Sequence, residues 1–287
     1  MIVDIEADLH IHTRSSDGDL SPSEVVSRAS YKGLKTIAIT DHDTMSGVRE
    51  ALDKGKELGL IVIPGVEISV EFEPGEFHML GYFPFIPNGL EDILAKDQQE
   101  SRTRRNPRII KRLNDLGMDI TLDEVKHVAG DAQLGRPHIA QVLLSKGYVS
   151  SMREAFDKFL AKGRPAYVNR EKLPPGDAIG LITSHGGIAV LAHPFTLGLG
   201  DKDLEDYVKV LRDKGLKGIE TYYPEHTKEQ VRLYKDIAKN NGLVTTGGSD
   251  FHGKSKNQVS IGDAGVSMEI LEQIFSIWET TTLKVSS

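Results

Sequence analysis

Residues 36–43 read Thr36-Ile37-Ala38-Ile39-Thr40-Asp41-His42-Asp43. A short apolar run without polar alternation is the pattern of a strand covered on both faces. This one empties at once into three residues able to ligate a metal. The coincidence recurs along the chain: apolar runs near positions 8, 37, 63, 79, 190, 220 and 245 predict seven strands. His12, His42, Glu67, His78, His193, Asp250 and His252 fall within such runs or at their ends. Between most of the runs lie helix-period stretches, among them one opened by Ser21-Pro22-Ser23-Glu24 and others at 47–58, 177–185, 203–214, 228–240 and 268–278. Alternating strands and helices give mostly parallel sheets, and barrels of that kind carry their active sites at the C-terminal strand ends. The fold class read from this pattern is α/β, with a distorted seven-stranded β/α barrel as the most economical closed form.

Outward from that stretch, the first run is Asp8-Leu9-His10-Ile11-His12-Thr13. On a strand, period-two geometry puts Asp8, His10 and His12 on one face, where two imidazoles can share one ion. Glu67 stands inside the apolar run Ile61-Val62-Ile63-Pro64-Gly65-Val66-Glu67-Ile68, and His78 inside Glu76-Phe77-His78-Met79-Leu80-Gly81-Tyr82-Phe83. A buried carboxylate or imidazole is costly unless a cation or a partner meets it, so both are candidates for one polar site.

Composition narrows the chemistry. The chain has no cysteine, which excludes disulfides, thiolate ligands and a Cys nucleophile and leaves His and carboxylates to hold any metal. With 35 basic and 42 acidic residues among 287, the net charge of −7 argues against a nucleic-acid coat and against duplex binding. It leaves room for a local basic pocket. The acidic start and the lack of a ~20-residue apolar run point to a cytoplasmic protein that does not enter a membrane.

From about 88 to 174 the rhythm changes to helical patterns near 90–116, 121–129, 137–147 and 151–162, without strands. The expected organisation is a barrel from 1–87 and 175–287, interrupted by a helical subdomain at 88–174 that covers the active site. Within it, Arg136 and His138 flank Pro137 at a helix N-terminus, a place suited to anions. The run from Arg102 to Arg112 is basic and reads as a solvated face or a substrate contact.

Taken together, Asp8-Leu9-His10-Ile11-His12-Thr13, Ile39-Thr40-Asp41-His42-Asp43, Gly65-Val66-Glu67, Ala192-His193-Pro194 and Gly248-Ser249-Asp250-Phe251-His252-Gly253 resemble the signature motifs of the PHP (polymerase and histidinol phosphatase) metallophosphoesterases. The resemblance implies a trinuclear site. One ion would sit on His10, His12, Glu67 and Asp250, a second on Glu67, His78 and His193, and a third on Asp17, His42 and His252, with Glu67 as the bridge. Two to three Mn or Zn ions fit these ligands, with Fe or Mg as further options. The insertion resembles that of a subgroup acting on nucleotides, including 3′,5′-bisphosphonucleoside phosphatases and 5′-to-3′ exonucleases on short RNA. That resemblance carries Arg136 and His138 over as phosphate contacts beside the catalytic Glu67, Asp250 and His193. The expected function is hydrolysis of a small nucleotide or short oligonucleotide ester by hydroxide generated at the metals. A histidinol-phosphatase-like activity and an inactive metal-binding module are the alternatives. An amidohydrolase, which would call for a metal-bridging lysine at a strand end, is a third.

Overall fold

The computed structural model describes residues 5–130, 134–253 and 259–285, with side chains as far as 279. Two compact units emerge: Met1–Leu94 with Leu173–Ser287, and Ala95–Lys172.

The first unit is the barrel. Its strands are β1 (Ala7–Asp8), β2 (Thr36–Ile39), β3 (Ile61–Val70), β4 (Phe77–Tyr82), β5 (Ile188–Leu191), β6 (Gly218–Tyr222) and β7 (Val244–Gly247), which lie side by side in chain order. All neighbours are parallel except those of β4, which runs against both β3 and β5. Residues 71–76 are too few for a crossover, so β4 can only fold back on β3. His78 therefore lies at the start of its strand rather than the end, and the reversal brings it level with the C-terminal ends of the others.

The sheet closes between its first and last strands. Leu9 N–H donates to Gly247 O (3.1 Å), Asp250 N–H to His10 O (2.8 Å) and His12 N–H to Phe251 O (2.9 Å). Strand alternation then sorts the side chains. Ile63, Leu80 and Val190 belong to an inner cluster with Leu271, Ile274 and Trp278 of the last helix, Met268–Val285. Glu67 has the parity of Ile63, and His78 that of Leu80, so the same inward column passes from apolar to polar along its length. The opposite parity, including Ile37, Ile39 and Val62, packs against the outer helices.

Those helices are α1 (Pro22–Tyr31), α2 (Val48–Leu58), α7 (Pro175–Ser184), α8 (Asp201–Asp213) and α9 (Lys228–Asn241), whereas α10 (Met268–Val285) packs on the inner cluster. Local sequence fixes their ends. Ser21 and Glu24 form a reciprocal cap on α1, and Thr227 and Gln230 do the same on α9, each satisfying backbone donors that a helix start leaves open.

The second unit contains the rest of α3 (Leu90–Asp115), α4 (Leu122–Ala129), α5 (Arg136–Ser145) and α6 (Met152–Ala155), the last continued by a π-helical turn over Phe156–Leu160. Ile109, Leu113, Ile120, Val125, Ile139 and Leu143 make its own core.

Candidate metal centre

The strand ends deliver side chains to one spot. His10 and His12 follow β1, His42 follows β2, Glu67 is on β3, His78 on β4, His193 follows β5, and Asp250 and His252 follow β7. Backbone approaches His10 closely. A Cβ at Gly248 would stand 2.3 Å from the His10 nitrogen, so the turn after β7 passes His10 only as glycine. Three non-glycine residues here take left-handed backbone: Asp43 (φ 54°), His193 (φ 25°) and Asp250 (φ 52°). Strain of this kind persists only where surrounding contacts impose it, and it concentrates at functional sites.

Glu67, almost wholly buried, is met by five imidazoles. Its Oε2 lies 3.4 Å from His10 Nε2, 3.2 Å from His12 Nε2 and 3.0 Å from His42 Nδ1. Its Oε1 lies 3.1 Å from His78 Nδ1 and 3.0 Å from His193 Nε2. Asp250 Oδ1 is 3.2 Å from His10 Nε2 and 3.0 Å from His12 Nε2. Asp17 is 3.3 Å from His252 Nε2, 3.7 Å from His12 Nδ1 and 3.9 Å from His42 Nε2. Three groups of atoms are thereby close enough to hold an ion each: His10, His12, Glu67 and Asp250; His42, Glu67 and His78; and His12, Asp17, His42 and His252. Geometry thus shares His12 and His42 between groups and leaves His193 outside all three, although its Nε2 reaches Glu67 Oε1, whereas the motifs imply one place for each ring. Asp19 packs where a Cβ on Gly253 would fall and donates its N–H to His252 O at 2.8 Å.

Hydrogen bonds on the far side of the rings decide what these nitrogens can offer. A carboxylate can only accept, so the 3.0 Å contact with Glu220 Oε1 puts a proton on His10 Nδ1. His252 Nδ1 likewise faces the Asp250 carbonyl at 2.8 Å. His193 Nδ1 meets Thr196 Oγ1 at 3.1 Å, while that hydroxyl has carbonyl acceptors on Glu76 and His193. In each neutral ring Nε2 is left with a lone pair that faces a carboxylate oxygen, an arrangement that needs a cation or a proton between them. His10 Nε2, both nitrogens of His12, His42 Nδ1, Glu67 Oε2, Asp250 Oδ1 and His252 Nε2 are accordingly buried without a hydrogen-bond partner. Orphaned imidazole and carboxylate atoms pointing at common space are the donor set of a borderline divalent metal.

Protons can answer the same need only in part. Burial resists charging His12, but Asp250 and Glu67 outweigh it and lift the ring to about 9. Burial also opposes charge on His10, and Glu220, Asp250 and Glu67 again override it, raising its pKa well above the usual range. His78 goes the other way: burial, reinforced by His193 and His42, lowers it despite Glu67. Glu67 itself would be raised by burial, yet the surrounding rings hold it well below the carboxylate range.

Two of the supporting residues, Glu220 and Tyr223, were not singled out from the sequence, whereas Asp8, Asp41 and Asp43 were. Glu220 is fully buried on β6 and also accepts the His193 N–H through Oε2 at 2.8 Å. Tyr223 donates its hydroxyl to Asp250 Oδ2 at 2.9 Å. Asp41 accepts from Thr13 N–H and Oγ1, each at 2.7 Å, and Asp43 accepts from Ser69 N–H at 2.9 Å. Asp8 turns from the rings to accept Ser249 N–H (2.9 Å) and Gly262 N–H (2.8 Å). The signal for Glu220 was present, since a lone carboxylate in an apolar strand is what marked Glu67.

Arg136 and His138 lie in the helical unit. Arg136 Nη1 donates to Leu160 O at 3.1 Å, and its guanidinium lies 5.4 Å from the Tyr167 ring centroid. His138 Nδ1 accepts the Gly135 N–H at 3.1 Å and so caps α5. Arg105 is half buried in the same unit, and its Nε is buried without a partner. Burial, then Arg136, Arg102 and Arg170, bring its pKa down to about 10.

Comparison with known proteins places this geometry. The family model for the PHP domain matches residues 8–170, more than half of the chain. A 5′-3′ exoribonuclease of Haemophilus influenzae is 32% identical over 95% of this chain and 97% of its own. A 3′,5′-nucleoside bisphosphate phosphatase of Chromobacterium violaceum is 31% identical over 89% of this chain and 90% of its own. Among solved structures, one from Bifidobacterium adolescentis assigned as a metal-dependent phosphoesterase superposes with a TM-score of 0.69. It is 29% identical, over 94% of this chain and 95% of that one.

Proposed function

The chain belongs to the PHP domain family, a metal-dependent phosphoesterase by that membership, and from this premise we propose that it hydrolyses nucleotide phosphate esters with two to three divalent ions. The observation that carries the reading is the set of imidazole lone pairs turned on carboxylate oxygens around Glu67. We assign one ion to His10, His12, Glu67 and Asp250, a second to Glu67, His78 and His193, and a third to Asp17, His42 and His252. Imidazole with carboxylate favours Mn²⁺ or Zn²⁺ over ions that prefer all-oxygen shells. Bound ions supply Lewis-acid polarisation of a phosphoryl oxygen and acidify water toward neutral pH.

The protein's share is placement. Glu67 presents both oxygens from a rigid strand, and the outward Nδ1 contacts of His10, His193 and His252 fix which nitrogen each ring offers. At the strand ends the group reached by five rings is a glutamate, where the amidohydrolase alternative calls for a lysine. The nucleotide substrate class follows the two relatives, one named as an exoribonuclease and the other as a nucleoside bisphosphate phosphatase. Arg136 and His138 are assigned to substrate phosphate. The crowding of Arg102, Arg136 and Arg170 around Arg105 supports this, because like charges held together are relieved by an anion.

The test is a screen of purified, Mn²⁺-reconstituted protein. Its substrates are sugar phosphates, histidinol phosphate, nucleoside 5′-monophosphates, 3′,5′-bisphosphates and 5′-phosphorylated dinucleotides. Nucleotides should lead by at least about tenfold in kcat/KM, roughly 1.4 kcal/mol of transition-state binding. Preference for histidinol phosphate would overturn the substrate class, and bound metal without turnover would leave a binding module.

A further inference from the structure

Six strands or their C-terminal extensions carry the candidate ligands, and β6 carries none of the nine. What β6 brings instead is Glu220, with no exposed surface and both oxygens engaged on ligand residues of other strands. Oε1 accepts from the ring of His10 at 3.0 Å, and Oε2 accepts the backbone N–H of His193 at 2.8 Å. One residue beyond the strand, Tyr223 holds Asp250 at 2.9 Å.

The two contacts of Glu220 do different things. At His10 the carboxylate commits the proton to Nδ1 and leaves Nε2 for an ion, and its charge makes the ring a stronger donor. At His193 it holds the amide of a residue whose backbone, at φ 25° and ψ 69°, is one a histidine does not take unaided. A neutral acceptor could satisfy the two N–H groups, but it would leave the imidazole unpolarised. We propose that Glu220 is a positioning residue for the metal centre, coupling the ion on His10 to the ion on His193 while ligating neither. The proposal rests on the metal reading above.

Three measurements test it. In wild-type protein loaded with Zn²⁺, ¹⁵N spectra of the His10 ring should show a proton on Nδ1 and a metal-shifted Nε2. A proton on Nε2 would overturn the proposal, and this readout needs no variant to fold. Glu220→Gln preserves length and removes charge, so chelator competition should give a Zn²⁺ affinity about 10- to 100-fold weaker, the usual size of such an effect. A folded variant binding Zn²⁺ within about twofold of wild type would refute a positioning role. Paired with His10→Ala, Glu220→Gln should cost less than the product of the two single losses, whereas a full product would show that Glu220 does not act through His10. Wild-type protein that takes up no Zn²⁺ at all would instead strike down the metal reading, and the proposal with it.

Discussion

At the strand ends of the barrel unit Glu67 is surrounded by five imidazoles, and in the helical unit Arg105 has Arg102, Arg136 and Arg170 for neighbours. Both are concentrations of one residue type, but they are held differently. The rings and carboxylates of the barrel come from separate strand ends, sit mostly buried, and are pinned from behind by Glu220, Tyr223, Thr196 and main-chain carbonyls. The guanidiniums ride on long stems, and Arg136 has partners of its own in Leu160 O and the Tyr167 ring. The difference teaches what each can receive. Fixed lone pairs facing one another suit a compact cation of defined coordination, whereas mutually repelling cations suit an anion.

The largest break in that comparison should come at Glu67. Glu67→Gln removes the charge shared by all five rings and one bridging oxygen. It should lose at least one ion by elemental analysis and on the order of 10³-fold or more in kcat, several kcal/mol of transition-state stabilisation. Full metal content with a normal rate would remove the bridge from the reading.

A smaller effect is expected in the helical unit. Arg136→Ala should keep its metal and lose about 1.5 to 3 kcal/mol of transition-state binding for a nucleotide, the size of a charge-assisted hydrogen bond. p-Nitrophenyl phosphate should be less affected if Arg136 holds a phosphate other than the one cleaved. Because Arg136 also braces Leu160 and Tyr167, the melting temperature must be followed alongside kinetics. A stability loss with unchanged kcat/KM on both substrates would assign the residue to bracing alone.

The smallest effect sharpens the role of protons. His12 in the folded, metal-free centre is lifted from 6.5 to about 9, so the stability it contributes is complete below 6.5 and disappears as pH rises through 9. Glu67 and Asp250 are lowered, so their contribution is present above ordinary carboxylate values and lost on acidification. Metal-free protein should therefore melt lower at pH 9 than at pH 6.5, by on the order of 5 °C, while Zn²⁺-saturated protein should change less. A metal-free melting temperature that is flat or rising over that interval would contradict the charge balance drawn for the rings.

Much of the barrel was legible because its signal is local. Ile37, Ala38 and Ile39 on β2 and Ile188–Leu191 on β5 are apolar without a break, and Glu67 stands out in such a run. The reversal of β4 was not read, since residue pattern carries no strand direction. It was available only in the shortness of residues 71–76. Which rings pair also lay beyond the sequence, because it depends on which nitrogen each ring turns inward. The basic run from Arg102 to Arg112 divides in a way no spacing announces. Arg104 and Arg108 pair with Glu171 and Arg112 reaches Tyr167 O, while Arg102 and Arg105 face Arg136 and Arg170 from distant positions.

The seam between β1 and β7 has a consequence for biogenesis. It is fastened by main-chain bonds of Leu9, His10 and His12 to Gly247, Asp250 and Phe251, and five of these six residues are ligands or their immediate neighbours in the centre. A growing chain that has emerged only as far as β6 holds an open sheet, with both outer edges able to pair with another molecule. Its metal centre is still short of Asp250 and His252 at that moment. Completion of the cylinder and completion of the centre arrive with the same residues, so the interval in which the chain is sticky is also the interval in which it is catalytically silent.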